Sequence, residues 1–257
     1  MKILYLRRIK ANLTSQKSND MSNIISISNH KGGVGKTTST INIGAGLNKL
    51  GKRVLLIDLD AQANLSQSLG LRDQELNIYG ALKGQYQLQP IEVLKGLDVI
   101  PSILDLSGAE VELSGEAGRE YILRDVIEPI KHLYDFILID TPPSLGLLTI
   151  NAFTASNDIF IPLQAQYLAL QGLTKLVEII DKIQKRLNRG LKLGGVFITQ
   201  YDSRKSLNKE VMTRIQSHFK NNRNGYPRTY QRAYSCNIQS NACKYTKYFF
   251  KWRCRNF

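Results

Sequence analysis

Cysteine is missing from residues 21–218 of this 257-residue chain; Cys236, Cys243 and Cys254 all lie beyond them. That excludes a disulfide scaffold and a thiolate-held iron–sulfur cluster in the main body. The three cysteines are separated by six and ten residues, which is not the close pairing of a zinc site. No apolar run approaches the length of a membrane span. The first residues offer only a short patch, Ile3 to Leu6, ahead of Arg7 and Arg8. Neither the order nor the length is that of a secretory signal, so a cytosolic protein is expected.

Acids are missing from residues 219–257, which hold nine Lys or Arg and no Asp, Glu, Leu or Val. The same segment carries Trp252, the only tryptophan, and five of the twelve tyrosines. Residues 1–20 add five basic residues against Asp20. Of the net charge of +14 the two ends therefore hold nine and four, which leaves +1 for residues 21–218. Any nucleic-acid affinity of that body must come from a local patch. Lys182, Lys185, Arg186 and Arg189 read as the wet face of a helix rather than as such a patch. Aliphatic residues at helical spacing stop near Phe219, so the end of the fold reads as missing or replaced. Two readings of 219–257 stand, a segment translated in a wrong frame or a genuine basic aromatic tail. Residues 1–20 read as a disordered extension ahead of Met21.

The body contains apolar runs at Ile24 to Ile27, interrupted only by Ser26, and at Val54 to Ile57, Phe136 to Ile139, Ile159 to Ile161 and Val196 to Ile198, which are continuous. Runs without alternation suit strands buried on both faces, as in a parallel sheet covered by helices. Helical spacing links Ile43, Leu47 and Leu50, and again Leu170, Leu173, Leu176, Val177, Ile180 and Ile183. The expected fold is a doubly wound α/β domain over residues 21–218.

Directly after the first run comes Lys31-Gly32-Gly33-Val34-Gly35-Lys36-Thr37-Thr38. Glycines allow successive amides to turn inward toward an anion, a lysine supplies charge for the β and γ phosphates, and a threonine hydroxyl suits Mg²⁺. This is a phosphate-binding loop for a nucleoside triphosphate. The general pattern would put glycine at position 30, where this chain has His30 followed by the additional cation Lys31. Two further strand ends carry acids. Val54 to Ile57 runs into Asp58-Leu59-Asp60-Ala61-Gln62-Ala63-Asn64, and Phe136 to Ile139 runs into Asp140-Thr141-Pro142-Pro143-Ser144. Residues just past the carboxyl ends of parallel strands face the ligand crevice. Alternation along an extended segment would send Asp58 and Asp60 the same way, although Asp58 could instead cap the next helix. An acid after four apolar residues, opposite a phosphate loop, has the form that holds a metal-bound water.

These strings resemble the ParA/Soj family of partition ATPases, a deviant-Walker group of P-loop NTPases. The resemblance covers residues 22–219. It implies ATP and Mg²⁺ as cofactors, held by residues Lys31 to Thr38, with Thr37, Asp58 and Asp140 at or behind the metal. It also implies that Lys31 crosses an ATP-dependent homodimer to the partner's phosphates and that Asp60 orients the attacking water, with Lys36 beside it. The segment Gly195 to Arg204 resembles the family's strand and loop near the adenine, which makes Arg204 a candidate DNA contact; a solvated loop arginine is the competing reading. By the same resemblance the partners are a ParB-like protein and non-specific DNA, with no membrane, and the expected location is cytoplasmic and nucleoid-associated. Two alternatives remain open at this point: a membrane-surface ATPase of the MinD kind, and an inactive truncated product whose basic tail binds nucleic acid.

Overall fold

The structure is a computed structural model that describes residues 22–165 and 169–200, with Arg204, Ser206, Asn208, Glu210, Val211 and Thr213. The expectations for residues 1–20 and 219–257 lie outside the described residues.

Seven strands form one sheet: β1 (Asn23–Ile27), β2 (Val54–Asp58), β3 (Ile91–Leu94), β4 (Leu97–Ile100), β5 (Phe136–Asp140), β6 (Asp158–Gln164) and β7 (Lys192–Thr199). Their spatial order is β3-β4-β2-β5-β1-β6-β7. All neighbours are parallel except β3 and β4, which form an antiparallel edge. The order reverses around β1, so the phosphate loop that leaves β1 opens at the crevice where such sheets take their ligands.

Continuous apolar runs become central strands because both faces are covered. Leu55, Ile57, Ile137 and Ile139 enter one core, whereas Val54, Leu56, Phe136 and Leu138 enter the other. Helix α1 (Lys36–Lys49) covers the second face and comes close to the sheet at Gly44, where a Cβ would lie 2.6 Å from Cδ2 of Leu56. Further helices are α2 (Asn64–Ser68), α3 (Ile78–Leu82), α4 (Ala109–Glu112), α5 (Ile122–Ile127), α6 (Leu147–Ala155) and α7 (Ala169–Arg186). In α7 the expected apolar face holds at Leu173, Leu176, Val177, Ile180 and Ile183, all buried, while the side chain of Leu170 lies outside what the structure describes. Leu50 departs from expectation. Helix α1 ends at Lys49, and Leu50 turns out of the helix 51% exposed instead of joining the face of Leu47.

Candidate active site

The chain leaves β1 through Ser28 and Asn29 and reaches α1 seven residues later. Asn29 anchors this exit twice: its Nδ2 donates to the Pro162 carbonyl at 2.7 Å, and its Oδ1 accepts from the Lys31 amide at 3.0 Å. Gly33 and Gly35 then adopt φ of 71° and 91°, left-handed values that side-chain-bearing residues rarely adopt. The loop carbonyls are held from outside. Thr199 Oγ1 at the end of β7 donates to Val34 O at 2.7 Å, and Gln164 Nε2 at the end of β6 donates to Gly33 O at 2.9 Å. With those carbonyls drawn outward, the amides of the loop are left to face the cradle.

Lys36 opens α1 and is buried, its Nζ donating to the Lys31 carbonyl at 3.2 Å across the loop. Burial pushes its ammonium below the usual lysine range, while Asp140 and then Asp60 push it up. Lys31 itself is exposed at the rim. His30, in place of the usual glycine, packs where Gly172 of α7 has no Cβ. Burial first, then Lys175, Lys36 and Lys31, holds the imidazole below its ordinary pKa.

Asp58 and Asp140 are partners in register at the ends of β2 and β5, and both are fully buried. Asp58 turns back on its own loop. Its Oδ2 accepts from the Ser66 amide at 2.9 Å and the Ser66 hydroxyl at 2.7 Å, and Oδ1 accepts from the Asp60 amide at 3.3 Å. Burial nevertheless pushes it up to about 6. Asp60 is partly exposed, with Oδ1 accepting from the Gln62 amide at 3.0 Å. The two carboxylates bond different donors as the chain turns after β2 and passes through the left-handed Ala63 (φ 50°) into α2, and the charge of Asp60 still helps raise the pKa of Asp58. Asp58 thereby also receives a first-turn amide of α2, the bond a helix-capping acid makes.

Asp140 is different. Thr40 Oγ1 reaches its Oδ1 at 3.5 Å and the Thr37 hydroxyl bonds the same carboxyl group, but the buried Oδ2 has no partner. Burial, and then the charge of Asp58, raises its pKa well above the carboxylate range. A buried oxygen without a donor, beside a threonine hydroxyl and facing a phosphate cradle, fits Mg²⁺, which takes one or two carboxylates and completes its shell with water and substrate phosphates. Among the described residues no cluster of three or more His, Cys, Asp or Glu offers an all-protein metal cage, which agrees with that mode of binding.

The structure thus brings together residues 31–38, Asp60 and Asp140, with Asp58 behind them. Arg204 sits exposed in a turn that follows β7. Sequence reasoning missed Asn29, Ser66, Gln164 and Thr199 as supports; Thr199 and Gln200 were legible only as part of a string placed near the adenine.

An AAA domain family model matches residues 22–193. The chromosome-partitioning ATPase Soj of Treponema pallidum is 47% identical over 194 residues, 74% of this chain and 76% of that protein. The chromosome partitioning protein ParA of Caulobacter vibrioides is 45% identical over 203 residues, 76% of each chain. The structure of cobyrinic acid a,c-diamide synthase from Mycobacterium smegmatis with bound ATP analog and magnesium has a TM-score of 0.74 at 37% identity, covering 80% of this chain and 82% of that one. With its phosphate cradle, two strand-end acids and this extent of identity, the chain belongs to the ParA/Soj family of partition ATPases.

Proposed function

We propose that the chain is an ATP-dependent switch in the partition of a plasmid or chromosome. The observation that carries this reading is the pairing of the Gly33–Lys36 cradle with Asp140, whose Oδ2 is buried and without a donor. ATP seats its phosphates on the loop amides and on Lys36, whose nitrogen leaves the Lys31 carbonyl for them. Thr37 and Asp140 would hold Mg²⁺, which would supply positive charge against the phosphates; Asp58 supports this arrangement by fixing the loop that carries Asp60. Asp60, partly exposed at the mouth, orients the attacking water. Lys31, exposed at the rim, reaches the phosphates of a second copy, so ATP favours a homodimer. Arg204 contributes to non-specific DNA binding by that dimer, a ParB-like protein stimulates hydrolysis, and hydrolysis releases the DNA. The protein acts in the cytoplasm on the nucleoid, and no helix among the described residues is long and apolar enough to cross a membrane.

Mg²⁺-dependent ATP turnover, together with retention on DNA of arbitrary sequence in the presence of ATP, tests the proposal. Lys36→Ala should remove both, since it deletes a charge-assisted contact worth about 1.5–3 kcal/mol in the ground state alone. DNA retention that ignores nucleotide, or turnover that survives Lys36→Ala, contradicts it.

A further inference from the structure

Helix α6 begins seven residues after Asp140, and its cap residue, Gly146, has no side chain to receive the unpaired amides of the first turn. Another element supplies the acceptor. Oε1 of Glu110, from α4, accepts the Leu148 amide at 3.3 Å, and its negative charge sits at the favourable end of the helix dipole. Gly146 is what admits it, because a Cβ built there would overlap the Glu110 carboxyl group. Thr149 Oγ1 donates to the Ser144 carbonyl at 2.7 Å, so the capped turn is tied directly to the loop that descends from Asp140.

Glu110 also borders a cavity of about 190 Å³ lined in addition by Asp60 and Ala61 from the loop after β2 and by Pro142 and Ser144 from the loop after β5. Both strand-end loops and Glu110 thus share one open space. Through Thr149 and Leu148, the first turn of α6 is bonded both to the loop after Asp140 and to Glu110.

We propose that Glu110 is a positioning residue for ATP hydrolysis. It fixes the first turn of α6, and with it the loop from Asp140 to Gly146, in the arrangement that serves the water-orienting step, without contacting the nucleotide. The proposal rests on the ATPase reading above. It goes beyond that reading by placing a determinant of turnover in α4, outside the phosphate cradle and both strand-end loops.

The test uses the full chain with Glu110→Ala, Glu110→Gln, Gly146→Ala and the double variant, measuring kcat, KM for ATP, thermal unfolding and amide hydrogen exchange over 145–150. Loss of a cap is commonly worth about 1 kcal/mol, and felt in the hydrolytic step alone it lowers kcat by about five- to tenfold. Glu110→Ala should therefore lower kcat by that factor with KM nearly unchanged and should speed exchange at 147–149. Glu110→Gln keeps the acceptor oxygen and should restore most of kcat. Gly146→Ala should reproduce the loss by evicting the carboxylate, and the double variant should be no worse than either single, since both remove one interaction. Unchanged kcat in Glu110→Ala, additive losses, or a loss that tracks unfolding temperature without rescue by Gln overturns the proposal. Absence of turnover in the unaltered chain overturns the ATPase reading and this inference with it, whereas normal turnover that Glu110→Ala leaves intact overturns the inference alone.

Discussion

The loops that follow β2 and β5 start alike: Asp58 and Asp140 pair in register, each at a strand's carboxyl end and each fully buried. They differ in what the carboxylate does next. Asp58 accepts three hydrogen bonds from its own loop, two of them from Ser66, and the Ser66 hydroxyl in turn accepts the Ser102 amide at 2.9 Å. Asp140 keeps one oxygen without any donor. A buried charge costs least when fully hydrogen-bonded. The first acid is therefore tied into the protein, and the second carries a burial cost. On the function proposed above, a cation would offset that cost, with Asp58 in the frame and Asp140 in the chemistry, although sequence presents both as an acid after a buried strand.

Removing the charge of Asp140 breaks the comparison most severely. Asp140→Asn should lower Mg²⁺-dependent turnover by on the order of a hundredfold or more, as loss of a transition-state electrostatic group does. The same variant should be at least as stable as the unaltered chain without nucleotide at neutral pH. A folded pKa raised by burial means the ionised form is penalised, so this acid costs stability above its folded pKa and the cost fades as pH falls. Calorimetry with and without ATP and Mg²⁺ checks both parts; a strongly destabilised apo variant would place Asp140 in the frame after all.

Asp60→Ala comes next. ATP should still bind, and hydrolysis should fall by about a hundredfold or more, the scale of losing a positioned acid or base. Normal single-turnover hydrolysis in that variant would move the water-orienting role elsewhere.

Ser66→Ala should have the smallest effect on turnover and a clear one on stability. It leaves the Ser102 amide without its acceptor and removes one donor from Asp58, a loss of about 1–3 kcal/mol, read as a fall in Tm of several degrees for a domain of this size. Turnover should drop by less than tenfold, on the order of a few-fold, if Asp58 acts only through loop position. A larger fall in turnover than in stability would show that Asp58 meets the cation directly.

How much of this was legible depended on whether a feature was local in the chain. Strands β2, β5, β6 and β7 announce themselves as unbroken apolar runs, and β1 as a run broken only by Ser26, because both faces of the sheet are covered. Strands β3 and β4 do not, being four residues each and interrupted by Glu92 and Asp98 at an antiparallel edge. The phosphate cradle was readable residue by residue, since its chemistry sits within one short string. Its supports were not. Thr199 and Gln164 meet Val34 and Gly33 from 165 and 131 residues away, and Glu110 reaches Leu148 from 38 away, with no periodic pattern to mark them. The bonds that hold Asp58 depend on Ser66, and the turn into α2 on the left-handed Ala63, neither of which alternation alone could anticipate.

Lys31 tests the switch most directly, because it is exposed at the rim while Lys36 is buried in the cradle. Sedimentation velocity of Lys31→Ala and of the unaltered chain, each with ATP and Mg²⁺, together with ATP affinity by titration calorimetry, separates binding from assembly. The account predicts near-normal ATP affinity in the variant and a monomer under conditions where the unaltered chain dimerises. An ATP-dependent dimer in Lys31→Ala that matches the unaltered chain would contradict it.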